Sequence, residues 1–148
     1  MVKCLAVEFK ELCLLCEELA KISSRISKID LVASFLNKLS SDEIAPAVRM
    51  IIGDVFPAWD QREFEVSGTT LFRVLRNLTG VTPREYLEFF NRTGDVGSCF
   101  KAVLEVKRKP LQKLLFEKPL TILEVYRILN EIAKATGVGS RKKKERLL

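Results

Sequence analysis

Three breaks between helical segments each combine the groups that grip a phosphate. The first is Ile22-Ser23-Ser24-Arg25 with Lys28, the second Thr93-Gly94-Asp95-Val96-Gly97-Ser98 with Lys101, and the third runs from Thr136 through Gly137, Gly139 and Ser140 to Lys144. Each offers hydroxyls, backbone N–H groups and a cation. The first N–H groups of a helix have no intrahelical acceptor and carry a partial positive charge, so an anion placed there is stabilised. Glycine lets the backbone approach a ligand closely. The third break is the most basic, because Ser140 is followed directly by Arg141, Lys142, Lys143 and Lys144. Cations are normally favoured at the opposite end of a helix. Two readings of this run stand side by side: a phosphate grip, and a solvated, frayed basic tail. Any of the three breaks also suits an ordinary helix cap. No G-x-x-x-x-G-K-[ST] phosphate loop is present.

Other chemistry is thinly supplied. The chain has no histidine, which removes the commonest general base and every triad built on it. Of the four cysteines, Cys13 and Cys16 form a C-x-x-C pair, with Cys4 and Cys99 apart from it. A zinc site needs a second ligand pair at suitable spacing, and there is none. The reading is therefore no metal site, with Cys13 and Cys16 as buried small hydrophobes.

The charge is unevenly spread. Residues 1–100 carry 12 Lys/Arg against 14 Asp/Glu, a net of −2, whereas residues 101–148 carry 13 against 5, a net of +8. A polyanion docking on the last third is the partner this implies, with nucleic acid ahead of an anionic membrane surface. No helix presents a row of Arg, Asn and Gln suited to base edges, so contacts from helix ends would read the backbone and groove shape rather than sequence. No apolar run approaches the roughly 20 residues of a membrane span. Glu8, Lys10 and Glu11 interrupt any leader-like apolar stretch. The expectation is a cytoplasmic protein with no membrane contact, associated with the nucleoid through DNA.

Helical periodicity positions these groups. Leu5, Phe9, Leu12, Cys16 and Leu19 share one helical face, and Ile122, Val125, Leu129, Ile132 and Ala133 share another. Thr82-Pro83-Arg84-Glu85, Thr121-Ile122-Leu123-Glu124 and Ser40-Ser41-Asp42-Glu43 read as capping boxes. Gly53, Gly80, Gly94 and Gly137 fall where helices should stop. The pattern predicts an all-α fold, one compact bundle of about eight helices over 1–148. The predicted helices run roughly over 3–20, 26–39, 42–53, 68–79, 83–92, 95–106, 122–136 and from 140 onward. Trp59 is expected to pack against the bundle.

The three breaks, with Gly53-Asp54-Val55-Phe56-Pro57-Ala58-Trp59 and Pro119-Leu120-Thr121-Ile122 between them, resemble the N-terminal DNA-binding domain of archaeal and eukaryotic replicative-type ATP-dependent DNA ligases. The most distinctive run is Ile132-Ala133-Lys134-Ala135-Thr136-Gly137-Val138-Gly139-Ser140, with Lys144 and Leu147-Leu148 after it. The resemblance covers nearly the whole chain in order. It implies a non-catalytic, monomeric domain that clamps nicked duplex DNA across the minor groove in replication, repair and recombination. The family's backbone-contacting positions would map onto Ser24, Arg25, Gly94, Gly97, Gly137, Gly139, Ser140 and the cations Arg141, Lys142, Lys143 and Lys144, and the reading of the breaks themselves adds Lys28, Ser98 and Lys101 as candidate DNA contacts. No cofactor is implied in this chain; ATP and Mg belong to the parent ligase if the chain is a fragment. The family domain continues beyond the equivalent of Leu148, so a C-terminal truncation is expected.

Two further points carry over. The family has a Gly-hydrophobic-Gly turn where this chain has Glu65-Val66-Ser67-Gly68, which weakens the case for DNA contact there. Archaeal members carry a sliding-clamp motif where this chain has Gln112-Lys113-Leu114-Leu115-Phe116, with one aromatic rather than two. These residues either dock on a clamp or pack in the core. The competing function is an adaptor that docks on a clamp without binding DNA. An independent enzyme is the weakest reading, since no catalytic constellation is visible.

Overall fold

The computed structural model describes residues 6–107 and 119–148. They form eight α-helices: α1 (Phe9–Lys21), α2 (Arg25–Leu36), α3 (Ser41–Ile52), α4 (Gly68–Thr79), α5 (Pro83–Thr93), α6 (Val96–Lys107), α7 (Ile122–Lys134) and α8 (Ser140–Leu147). The fold class is all-α. The only β pairing among the described residues is an isolated antiparallel bridge, Glu8 to Thr121. The helices group into two compact units, residues 6–64 with 119–134 and residues 65–107 with 135–148.

In the first unit α3 packs on α7, and α1 packs on α2, α3 and α7. Val7, Leu12, Leu15, Phe35, Leu39, Ala47 and Ile122 make the core. The predicted first helix includes residues 6–8, but α1 begins at Phe9, because the chain just before it has better partners than a helix would give it. The Phe9 N–H donates to the Leu120 carbonyl at 2.7 Å, and the Ile122 N–H donates to the Val7 carbonyl at 3.2 Å. The Val7 N–H donates to Glu43 Oε1 at 2.9 Å. Glu43 closes the expected box at the start of α3, where its other oxygen accepts from the Ser40 N–H at 3.0 Å and the Ser40 hydroxyl at 2.8 Å. Its side chain is 1% exposed. Burial pushes its carboxyl up, but the hydrogen bonds from Ser40 and Val7 outweigh that and hold it below the usual glutamate value.

Two burial expectations fail in this unit. Cys13 is exposed and Cys16 only half-buried. The buried stripe of α1 runs through Leu12 and Leu15, and a residue one position past Leu12 is turned about 100° away from it. Trp59 is 83% exposed. The loop around it is held instead by Phe56 on Phe64, ring centroids 5.3 Å apart, and by Arg62 lying 4.6 Å over the Phe56 ring. Arg62 Nε also donates to the two Asp60 oxygens at 2.9 and 3.0 Å.

In the second unit α5 packs on α6, and α4 packs on both α6 and α8. Leu75, Val81, Cys99 and Val103 are the core, lined by Phe72, Tyr86, Phe89, Phe90, Phe100 and Leu104. Tyr86 is the hub, with ring centroids 4.9 Å from Phe72, 6.3 Å from Phe90 and 6.4 Å from Phe100. The Thr82 box forms as the sequence predicts. Its Glu85 also receives Lys107, and that hydrogen bond is the main reason its carboxyl falls to about 2. Helix α7 stops at Lys134, two residues before the predicted end, and Ala135 turns inward to 4% exposure.

Candidate functional site

The three sequence breaks are not equivalent once their helix ends are inspected. At the first, Ser24 is the N-cap of α2, and its Oγ accepts the Ser27 N–H at 3.3 Å. Arg25 and Lys28 are exposed and make no ion pair among the described residues. They border a groove of about 390 Å³ along α2, lined otherwise by Ile29, Val32, Ala33 and Leu36.

At the second, Gly94 ends α5 in the left-handed region at φ +71°. Asp95 then caps α6, accepting the Ser98 N–H at 2.7 Å. That hydrogen bond is the leading reason its carboxyl lies below the usual aspartate value. The Ser98 amide is thus already given to a carboxylate of the chain itself, and an external phosphate would face that negative charge. Gly97, Ser98 and Lys101 are exposed on the first turns of α6.

At the third, no carboxylate fills the helix end, and the Ser140 N–H donates instead to the Gly137 carbonyl at 3.2 Å. Gly137 and Gly139 hold φ of +77° and +85°, backbone that L side chains rarely adopt, and they turn the chain sharply into α8. Gly139 is the N-cap, and no side chain caps the helix. Arg141, Lys142 and Lys143 are all exposed, and Val138 between the glycines stands fully in solvent. Of the three breaks this one alone combines an uncapped helix N-terminus with a cluster of solvent-facing cations.

Lys144 departs from its neighbours. It is 3% exposed, with its ammonium 3.6 Å from Glu65 Oε2. One turn of helix separates Ser140 from Lys144, and it is this spacing that points Lys144 back into the unit rather than outward with the other three. Glu65, which stands where the resemblance implies a glycine, has φ +43°, in the left-handed region. Ser67, the other departure, caps α4 by accepting the Thr70 N–H at 3.2 Å. Sequence reading missed a further element: Arg73 NH1 of α4 donates to Glu145 Oε1 of α8 at 2.6 Å. These residues are 72 positions apart, so no local pattern could have announced the pair.

No group of three or more His, Cys, Asp or Glu side chains among the described residues comes together to hold a metal. Burial pushes the Cys16 and Cys99 thiols up, away from the thiolate form a nucleophile needs. An open groove of about 580 Å³ beside the Trp59 loop is lined by Arg49, Asp54, Asp60, Arg62 and Glu63 among others, and there Asp60 and Arg62 neutralise each other. No described helix is long and apolar enough to cross a membrane. Gln112, Lys113, Leu114, Leu115 and Phe116 lie outside the described residues.

The described residues are thus all-helical, with exposed cations at the start of the last helix. The family model "DNA ligase N terminus" matches residues 8–148, and the chain belongs to that family. It is 39% identical to "DNA ligase 1" of Korarchaeum cryptofilum, over 94% of this chain and 24% of that protein. It is 36% identical to "DNA ligase" of Methanopyrus kandleri, over 89% of this chain and 23% of that protein. "DNA ligase" of Archaeoglobus fulgidus is also 36% identical, over 95% of this chain and 25% of that protein. The chain thus spans about a quarter of the length of these curated relatives.

Proposed function

We propose that the chain is a non-catalytic DNA-binding module of an ATP-dependent DNA ligase. It grips nicked duplex DNA through phosphate and minor-groove contacts, in the service of replication, repair and recombination. The observation that carries this reading is the end of α8: an N-terminus with no side-chain cap, beside three cations in solvent. Although the Ser140 N–H is given to the Gly137 carbonyl, anions are favoured at such an end by the helix dipole and the N–H groups that follow, and the cations add to the same field. In the other unit, the exposed Arg25 and Lys28 on the first turn of α2 are read by themselves as further phosphate contacts. The adenylyl-transfer chemistry, with ATP and Mg, belongs to other parts of the ligase.

Affinity for a labelled nicked duplex is expected to fall linearly on a log–log plot against salt, by about 0.9 per phosphate neutralised, with little dependence on sequence. Binding that is absent at low salt, or indifferent to salt, rejects the reading.

A sliding clamp is the second partner in this proposal. It rests on the sequence of Gln112 to Phe116 alone, with Leu115 and Phe116 as apolar anchors and Gln112 as the polar contact. Leu115→Ala with Phe116→Ala is expected to abolish affinity for the cognate clamp and to spare DNA binding. Unchanged clamp affinity, or a collapsed melting temperature, removes the segment as a docking site.

A further inference from the structure

Helix α8 has only eight residues, and its cations crowd the end that its dipole disfavours. An isolated helix of that length is not stable in water. Tertiary contacts must therefore hold it, and two ion pairs in its unit do so. Glu145 Oε1 lies 2.6 Å from Arg73 NH1, with the two side chains 19% and 39% exposed. The buried Lys144 reaches Glu65. The same Glu145 oxygen is 3.8 Å from Arg141 Nε, so one carboxylate touches both the fastening and the array.

We propose that Glu145, gripped by Arg73, is a positioning residue that holds the α8 backbone, and so the starting points of the Arg141, Lys142 and Lys143 side chains, in one orientation within its unit. That fixed orientation makes the chain prefer the regularly spaced phosphates of duplex DNA over a flexible polyanion. This rests on the DNA-binding reading above. A preorganised set loses little freedom on binding and matches one phosphate spacing, whereas a frayed tail adapts to any polyanion and must be ordered each time. The sign of the effect separates this from simple electrostatics. Glu145 is an acid among cations, so neutralising it should tighten binding to every polyanion by raising the local positive potential. Positioning demands the opposite for duplex DNA.

The test uses the full chain carrying Glu145→Gln, with nicked duplex, a single strand of equal length and heparin as probes. Duplex affinity is expected to fall about tenfold, the scale of re-ordering one or two long side chains, while heparin affinity holds or rises. Arg73→Glu should lose the duplex preference too, and Arg73→Glu with Glu145→Arg should restore it. Duplex affinity that is unchanged or higher in Glu145→Gln overturns the proposal. A wild-type chain that binds no duplex overturns the DNA reading instead. Should Glu145→Gln melt the fold, amide hydrogen exchange of the wild-type chain decides. Protected amides from Lys144 to Leu147 support a fastened α8, and exchange at the rate of an unfolded peptide overturns it.

Discussion

Replacing Arg141, Lys142 and Lys143 together by alanine is expected to lower affinity for duplex DNA by one to two orders of magnitude, roughly, and to flatten the salt dependence by about one per lost phosphate contact. All three side chains are exposed, and Lys142 and Lys143 make no ion pair among the described residues. Only Arg141 touches an acid, Glu145 at 3.8 Å, and surface pairs of that kind add little to stability. The melting temperature should therefore stay close to that of the wild-type chain. Lys144 is left out by design, because it is buried against the unit. Lys144→Ala is expected to lower the melting temperature as well as DNA affinity. Titrations at several salt concentrations, with melting curves on the same samples, separate the two effects. A triple variant that binds DNA as tightly as the wild-type chain would remove α8 from the interface.

Glu43→Ala is expected to destabilise the first unit by about 3 kcal/mol at neutral pH, because it strands buried donors rather than trimming a surface charge. The Glu43 carboxylate accepts the Val7 N–H, the Ser40 N–H and the Ser40 hydroxyl while 1% exposed. The pH dependence follows from its lowered pKa. A carboxyl that binds its proton less readily folded than unfolded adds stability above its unfolded pKa of about 4.5, and this is lost as pH falls through the lower folded value. The stability gap between wild type and Glu43→Gln should thus be widest near neutrality and close as the solution is acidified below that value. Denaturant unfolding at a series of pH values measures it. A gap that is independent of pH would show that the ionised form is not what holds Val7 and Ser40.

Much of the fold was legible in the chain because its causes are local. The Thr82, Thr121 and Ser40 boxes and the glycine stops act over three or four residues, so the helix count and most boundaries followed from spacing. The failures came where distant partners decided. Helix α1 starts later than periodicity predicts because Val7 pairs with Glu43 and Ile122, Glu8 bridges to Thr121, and the Phe9 N–H is given to Leu120. Trp59 does not pack against the bundle as its size suggests but stands 83% exposed, and Phe56, Phe64 and Arg62 hold its loop without it.

The same division runs through the candidate site. The sequence by itself determined the all-α class, the basic last third and the presence of three helix ends with hydroxyls, glycines and cations, since composition and short-range spacing are properties of the chain. Only the tertiary structure decided which helix end is open. Asp95 fills the end of α6 and Ser24 caps α2, whereas Gly139 leaves α8 uncapped. It also decided that Lys144 turns inward to Glu65 while Arg141, Lys142 and Lys143 face water, and that Arg73 meets Glu145 across 72 positions of chain. Burial and long-range charge pairing depend on which surfaces meet, and helical periodicity alone does not fix that.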